Sequence, residues 1–209
     1  MTDGLVTRET NEELFAAALE EAVAALEMEE IPYVVFGSIA AITFGRPGPT
    51  GDVDLLVRRG DARRVLQALD RIGFETEETD PSWIFKAWKY GVLIDVIFAV
   101  KGGIYLDDQM LAHARRTPFS GRRVRMVSPE DAVLIEALST EMQNDSHWWN
   151  ALGIIARGEL DWEYLEERAR YGPRRILALL IFAESSDLVV PRNTIRAMFS
   201  SIYEDPGPS

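Results

Sequence analysis

Phe36-Gly37-Ser38, a gap of thirteen residues (39–51), then Asp52-Val53-Asp54-Leu55 is the most informative stretch of the chain. The residues before it, Ile31-Pro32-Tyr33-Val34-Val35-Phe36, form a short β-rich apolar run that reads as a buried strand ending at Gly37-Ser38. A short helix over Ile39–Phe44 follows, and the Gly- and Pro-rich stretch Gly45–Gly51 is a loop. Asp52–Val57 is the next strand. On a strand, residues i and i+2 point to the same face, so Asp52 and Asp54 form a carboxylate pair. Two like charges among Val53, Leu55, Leu56 and Val57 destabilise a sheet unless a cation neutralises them. Asp95 repeats the anomaly by interrupting the apolar run Val92–Val100. Three strand-borne carboxylates on one face would hold a hard divalent cation, Mg²⁺ or Mn²⁺. Gly37-Ser38, at a strand-to-helix junction, offers backbone N–H groups and a hydroxyl to a phosphate.

Thr10 with Glu13 is a capping box that predicts a helix over 11–29, with Leu14, Phe15, Ala18, Leu19, Ala22, Val23 and Leu26 on one face. Asp61 is expected to cap a helix that stops at Gly73. Residues 83–98 read as a hairpin turning at Tyr90-Gly91, and 106–116 and 122–127 read as a helix and a strand. Ser128-Pro129 starts a tail of helices near 130–142, 145–157, 161–171, 173–185 and 192–202. The expected fold is α+β: a mixed sheet of about five strands flanked by helices over 1–127, and a C-terminal helical bundle over 128–209.

Composition narrows the chemistry. The chain has 209 residues, no cysteine and two histidines, so thiol chemistry and a histidine-rich metal site are excluded. Its net charge is −12, and residues 1–30 hold nine acids and one base. That imbalance argues against broad polyanion binding. The exception is the stretch with Arg115, Arg116, Arg122, Arg123 and Arg125, which is either a local nucleic-acid contact or a solvated surface. No apolar run reaches membrane-spanning length and the start lacks an apolar signal region, so no membrane partner and a cytoplasmic location are expected. Lys86 and Lys89 lie on the strand expected to pair with that of Asp95. His147-Trp148-Trp149 opens a tail helix as core, domain seam or stacking platform.

The set Phe36-Gly37-Ser38, Asp52-Val53-Asp54-Leu55 and Ile94-Asp95-Val96, in this order, resembles the signature of the DNA-polymerase-β-like nucleotidyltransferases. Over about residues 20–185 the chain looks most like the AbiEii-type group of abortive-infection and toxin–antitoxin systems. Pro49-Thr50, Val127-Ser128-Pro129-Glu130-Asp131 and Leu160-Asp161 carry that likeness. The resemblance implies transfer of a nucleoside monophosphate from an NTP to an acceptor hydroxyl on a tRNA end, a protein or a small molecule. Asp52, Asp54 and Asp95 would then be catalytic and hold Mg²⁺ or Mn²⁺, while Gly37, Ser38 and Thr50 bind the nucleotide; Lys86, like Lys89, either binds it too, in place of basic residues usual in the group, or is a solvated strand lysine. An antitoxin protein is an implied partner, and tRNA would meet the arginine stretch. The chain departs from the group at Glu136, where a lysine is usual, at Asn144-Asp145-Ser146-His147-Trp148, and at Gly48, with Arg46 displaced from the usual arginine position. These departures support the alternative of a degenerate relative that acts as a binding or regulatory partner.

Overall fold

Asp52–Val57 forms the strand that its alternation predicts, and the sheet is built around it. The computed structural model describes residues 3–45, 47–141 and 146–204, so Arg46, Asn144 and Asp145 lie outside the described residues. The chain divides into two units. One gathers Met1–Ile39, Pro49–Val100 and Tyr105–Val127; the other gathers Ala40–Gly48, Lys101–Ile104 and Ser128–Ser209.

The first unit holds a mixed sheet of seven strands among the described residues: β1 (Tyr33–Val35), β2 (Asp52–Val57), β3 (Glu75–Asp80), β4 (Ile84–Lys89), β5 (Val92–Ile97), β6 (Arg115–Phe119) and β7 (Arg122–Met126). Their order is β3-β4-β5-β2-β1-β7-β6. β2 runs parallel to β5, and β1 parallel to β7; the other neighbours are antiparallel. The β4–β5 hairpin turns at Tyr90-Gly91, where φ is 57° and 76°. Positive φ at both central residues matches the right-handed twist of the strands.

Strand alternation separates two faces. Val53, Leu55, Ile94, Val96, Phe85 and Ala87 are buried on the face covered by α1 (Asp3–Met28) and α3 (Ala62–Arg71). Asp52, Asp54, Asp95 and Lys86 occupy the other. Leu19, Ala22 and Leu26 of α1 and Val65, Leu66 and Leu69 of α3 supply the apolar layer. Taking this apolar surface out of water stabilises the unit by on the order of 25 cal/mol per Å² buried.

Four local expectations need correction. α1 starts at Asp3, so Thr10 lies inside the helix rather than capping it. Asp61 makes no cap hydrogen bond; its carboxylate accepts from Arg64 Nη1 at 2.7 Å instead. The helix expected over 106–116 is only α4 (Asp108–His113), because Arg115 already pairs with Met126 in the sheet. The two strands beyond the expected five are β3 and β6, whose residues are largely exposed.

The second unit is helical. It contains α5 (Pro129–Ser139), α6 (Ser146–Arg157), α7 (Trp162–Arg168), α8 (Pro173–Ser185) and α9 (Arg192–Tyr203), together with residues 40–44 of α2 (Gly37–Phe44). Ser128 caps α5 by accepting from Asp131 N at 3.2 Å, as its position before Pro129 predicts. Asp131 and Arg168 form a fully buried ion pair at 2.6 Å, and the Tyr164 hydroxyl donates to the same carboxylate at 2.7 Å. Gly45 closes against Gly153 and Ile154, and its carbonyl accepts from Arg157 Nε at 3.2 Å. None of the described helices is long and apolar enough to cross a membrane.

Candidate active site

Register assembles the site from residues far apart in sequence. β2 beside β5 sets Asp54 opposite Asp95 and Asp52 opposite Leu93. One carboxylate oxygen from each of Asp52, Asp54 and Asp95 lies within 4.8 Å of the others, the one such acidic or histidine cluster among the described residues. Asp52 and Asp54 are half-buried, and Asp95 retains 9% of its exposure. An all-oxygen, anionic donor set of this spacing suits Mg²⁺ or Mn²⁺ and is unsuited to soft metals.

The Gly-Ser turn locks onto this pair. Phe36 N donates to Asp54 O at 3.0 Å, which holds the end of β1 beside β2. Gly37 follows with φ of 59°, a left-handed conformation disfavoured with a side chain. A Cβ on Gly37 would stand 1.9 Å from Asp54 Oδ2, so glycine here is required by the carboxylate as well as by the backbone. Ser38 Oγ is 2.7 Å from Thr50 Oγ1, and Thr50 Oγ1 donates to Asp52 O at 3.0 Å. Thr50 therefore ties the start of α2 to the first aspartate, a connection that no local pattern in the sequence signals.

The two lysines of β4 separate. Lys86 lies opposite Asp95, and its Nζ donates to Asp95 Oδ1 at 2.8 Å. Lys89 points to the other face, where its ammonium pairs with Glu21 of α1 and sits 5.2 Å from the Phe74 ring centroid. Lys86 thus joins the carboxylates, and Lys89 does not.

The arginine stretch is engaged within the first unit. Arg116 pairs with Glu27 at 3.0 Å, Arg122 pairs with Glu20, and Arg123 Nη1 donates to Arg116 O at 3.4 Å. Tyr33 donates to Glu27 at 3.1 Å; burial, then the Glu27 charge, push its phenol well above the ordinary range. The acids of α1 thereby meet the bases of the β6–β7 hairpin. In the second unit Glu136 is buried at 3% exposure. Its Oε2 lies 2.7 Å from His147 Nδ1 and accepts from Asn150 Nδ2 at 3.3 Å. Trp148 and Trp149 meet Phe182 edge-on at 6.1 and 6.2 Å between ring centroids.

A family model described as an uncharacterised nucleotidyltransferase matches residues 5–183. No curated protein matches the chain. Among solved structures it is similar to the antibiotic-resistance factor ANT(2'')-Ia in solution, with 14% identity over 90% of this chain and 91% of that one and a TM-score of 0.46. The same factor in complex with adenylyl-2''-tobramycin aligns at 18% identity over 76% and 97%, with a TM-score of 0.49. Lincomycin-bound LnuA, a lincosamide antibiotic adenylyltransferase, aligns at 14% identity over 66% and 96%, with a TM-score of 0.48.

Proposed function

The chain belongs to a family of nucleotidyltransferases, and from that premise we propose that Asp52, Asp54 and Asp95 are its catalytic centre. The convergence of their carboxylate oxygens within 4.8 Å carries the reading. Asp52, Asp54 and Asp95 would hold Mg²⁺ or Mn²⁺, which when bound neutralises charge developing on the transferred phosphoryl group. Gly37 and Ser38 seat the triphosphate at the N-terminus of α2, with Thr50 fixing the serine hydroxyl. The acceptor hydroxyl oxygen attacks the α-phosphorus of the NTP. The bond from that phosphorus to the bridging oxygen breaks, and pyrophosphate leaves with the electron pair. The hydroxyl proton passes to the Asp95 carboxylate. Lys86 neutralises part of the triad's charge.

The acceptor class follows from the hydroxyl chemistry: a tRNA end, a protein side chain or a small molecule. The AbiEii-type features around Pro49-Thr50 and Val127–Asp131 support a toxin that modifies tRNA and is held by an antitoxin. The pairing of Arg116 and Arg122 with α1 supports the smaller acceptors.

The test incubates the protein with each α-labelled NTP and Mg²⁺ or Mn²⁺, using total tRNA, the protein itself or a panel of hydroxylated small molecules as acceptor. Label should move to one class, and Asp52→Asn, Asp54→Asn and Asp95→Asn should each lower transfer by a hundredfold or more, the order of a lost general base or charge clamp. Transfer that survives Asp54→Asn would overturn the site. No transfer and no cation-dependent NTP binding would instead favour the degenerate relative.

A further inference from the structure

We propose that Lys86 is the built-in counter-ion of the carboxylate triad and makes its uptake of a divalent cation depend on nucleotide; this rests on the triad being the cation site. β4 against β5 sets Lys86 opposite Asp95, and β5 beside β2 sets Asp95 opposite Asp54. Directly opposed side chains have Cβ atoms about 5 Å apart, so the three charges form one row on one face. Nζ donates to Asp95 Oδ1 at 2.8 Å, and the two side chains retain 27% and 13% of their exposure. The pair is therefore better shielded from water than an ordinary surface ion pair.

The charge count sets the consequence. Three carboxylates and one ammonium leave the cluster at −2, from −3 and +1. A cation approaching it without nucleotide finds one Asp95 oxygen engaged and a like charge a few ångströms away. Both weaken binding. An NTP brings phosphate charge that offsets the ammonium and adds oxygen ligands of its own. Glu77 of the edge strand lies opposite Lys86 on its other side and offers the ammonium a second carboxylate once Asp95 is taken. Lys86 is thus a positioning residue that acts through Asp95.

The experiment titrates Mn²⁺ alone, without nucleotide, and reads free Mn²⁺ by electron paramagnetic resonance. The proteins are wild type, Lys86→Met, Lys86→Gln, Lys86→Arg and Asp54→Asn, each checked for folding by thermal melt. Lys86→Met and Lys86→Gln should bind Mn²⁺ about tenfold tighter than wild type, the order expected of removing one partly screened like charge. Lys86→Arg should stay within about twofold, because it keeps the charge. A non-hydrolysable NTP analogue should narrow the difference between wild type and Lys86→Gln. If Asp54→Asn abolishes binding while the neutral Lys86 variants bind no tighter than wild type, the counter-ion role is overturned and the triad stands. If no protein binds Mn²⁺ with or without the analogue, the triad reading falls and this inference with it.

Discussion

Gly37 carries two constraints at once: its φ is 59°, and the space where a side chain would go is occupied by Asp54 Oδ2. Gly37→Ala should therefore do more than strain the backbone. The left-handed conformation alone costs a residue with a side chain about 1–2 kcal/mol. The added methyl must also push the Asp54 carboxylate out of the triad. The expected result is a lower melting temperature together with weaker Mn²⁺ binding; a loss of stability with Mn²⁺ affinity intact would show that the carboxylate does not need that space. Thr50 permits a finer substitution. Thr50→Val keeps the shape and removes the hydroxyl that bridges Ser38 to Asp52 O. One such hydrogen bond contributes about 1 kcal/mol net. The variant should raise KM for NTP several-fold, and Thr50→Ser should restore it. Equal KM values in Thr50→Val and wild type would remove Thr50 from the nucleotide-binding arrangement.

Among the elements, α1 shows why a strongly acidic segment need not be a docking surface. Three of its acids are engaged within the first unit, Glu20 by Arg122, Glu21 by Lys89 and Tyr90, and Glu27 by Arg116 and Tyr33, and Glu29, just past its end, pairs with Arg71. The Glu21–Lys89 pair predicts a pH dependence whose sign is fixed. The hydrogen bond from Lys89 holds the Glu21 carboxyl below its ordinary value of 4.5, against the opposing effect of burial. Its contribution is fully present above 4.5 and is lost as pH falls through the lowered folded value. Lys89 is raised above 10.5 by the same hydrogen bond, so its contribution is present below that value and is lost as pH rises through the folded one. Glu21→Gln should be less stable than wild type at pH 7, by less than about 1 kcal/mol for a pair that stays partly open to solvent. Urea melts should show the difference vanishing in acid below the folded Glu21 value. A difference that persists there would assign the effect to packing.

For the whole molecule, the two units are not two consecutive halves. Ala40–Gly48 and Lys101–Ile104 belong to the helical unit although they precede its main stretch at Ser128. A chain cut after Val127 would leave Gly45 without Gly153, Ile154 and Arg157, and Lys101 without Glu141. Such a fragment should show a poorly dispersed amide spectrum and no cooperative melt. A sharp two-state transition would instead show that residues 1–127 fold alone.

Much of this architecture was legible in the residues. β2 and β5 announce themselves by alternation broken with aspartates, and α5 by Ser128-Pro129. The strands that were not legible, β3 and β6, lie at the two ends of the sheet and carry polar residues on exposed positions. An edge strand without a buried face has no burial pattern to read. Which acids interrupt apolar strands, and at what spacing from Gly37-Ser38, is written in the residues alone, because apolar runs and alternation are local properties of the chain. It takes the folded chain to place Asp95 in a row with Asp54 and Lys86, to turn Lys89 away to Glu21, and to bring the hairpin arginines to α1. Strand register and charge pairing join residues distant in the chain, and a one-residue slip in register would send every side chain to the other face.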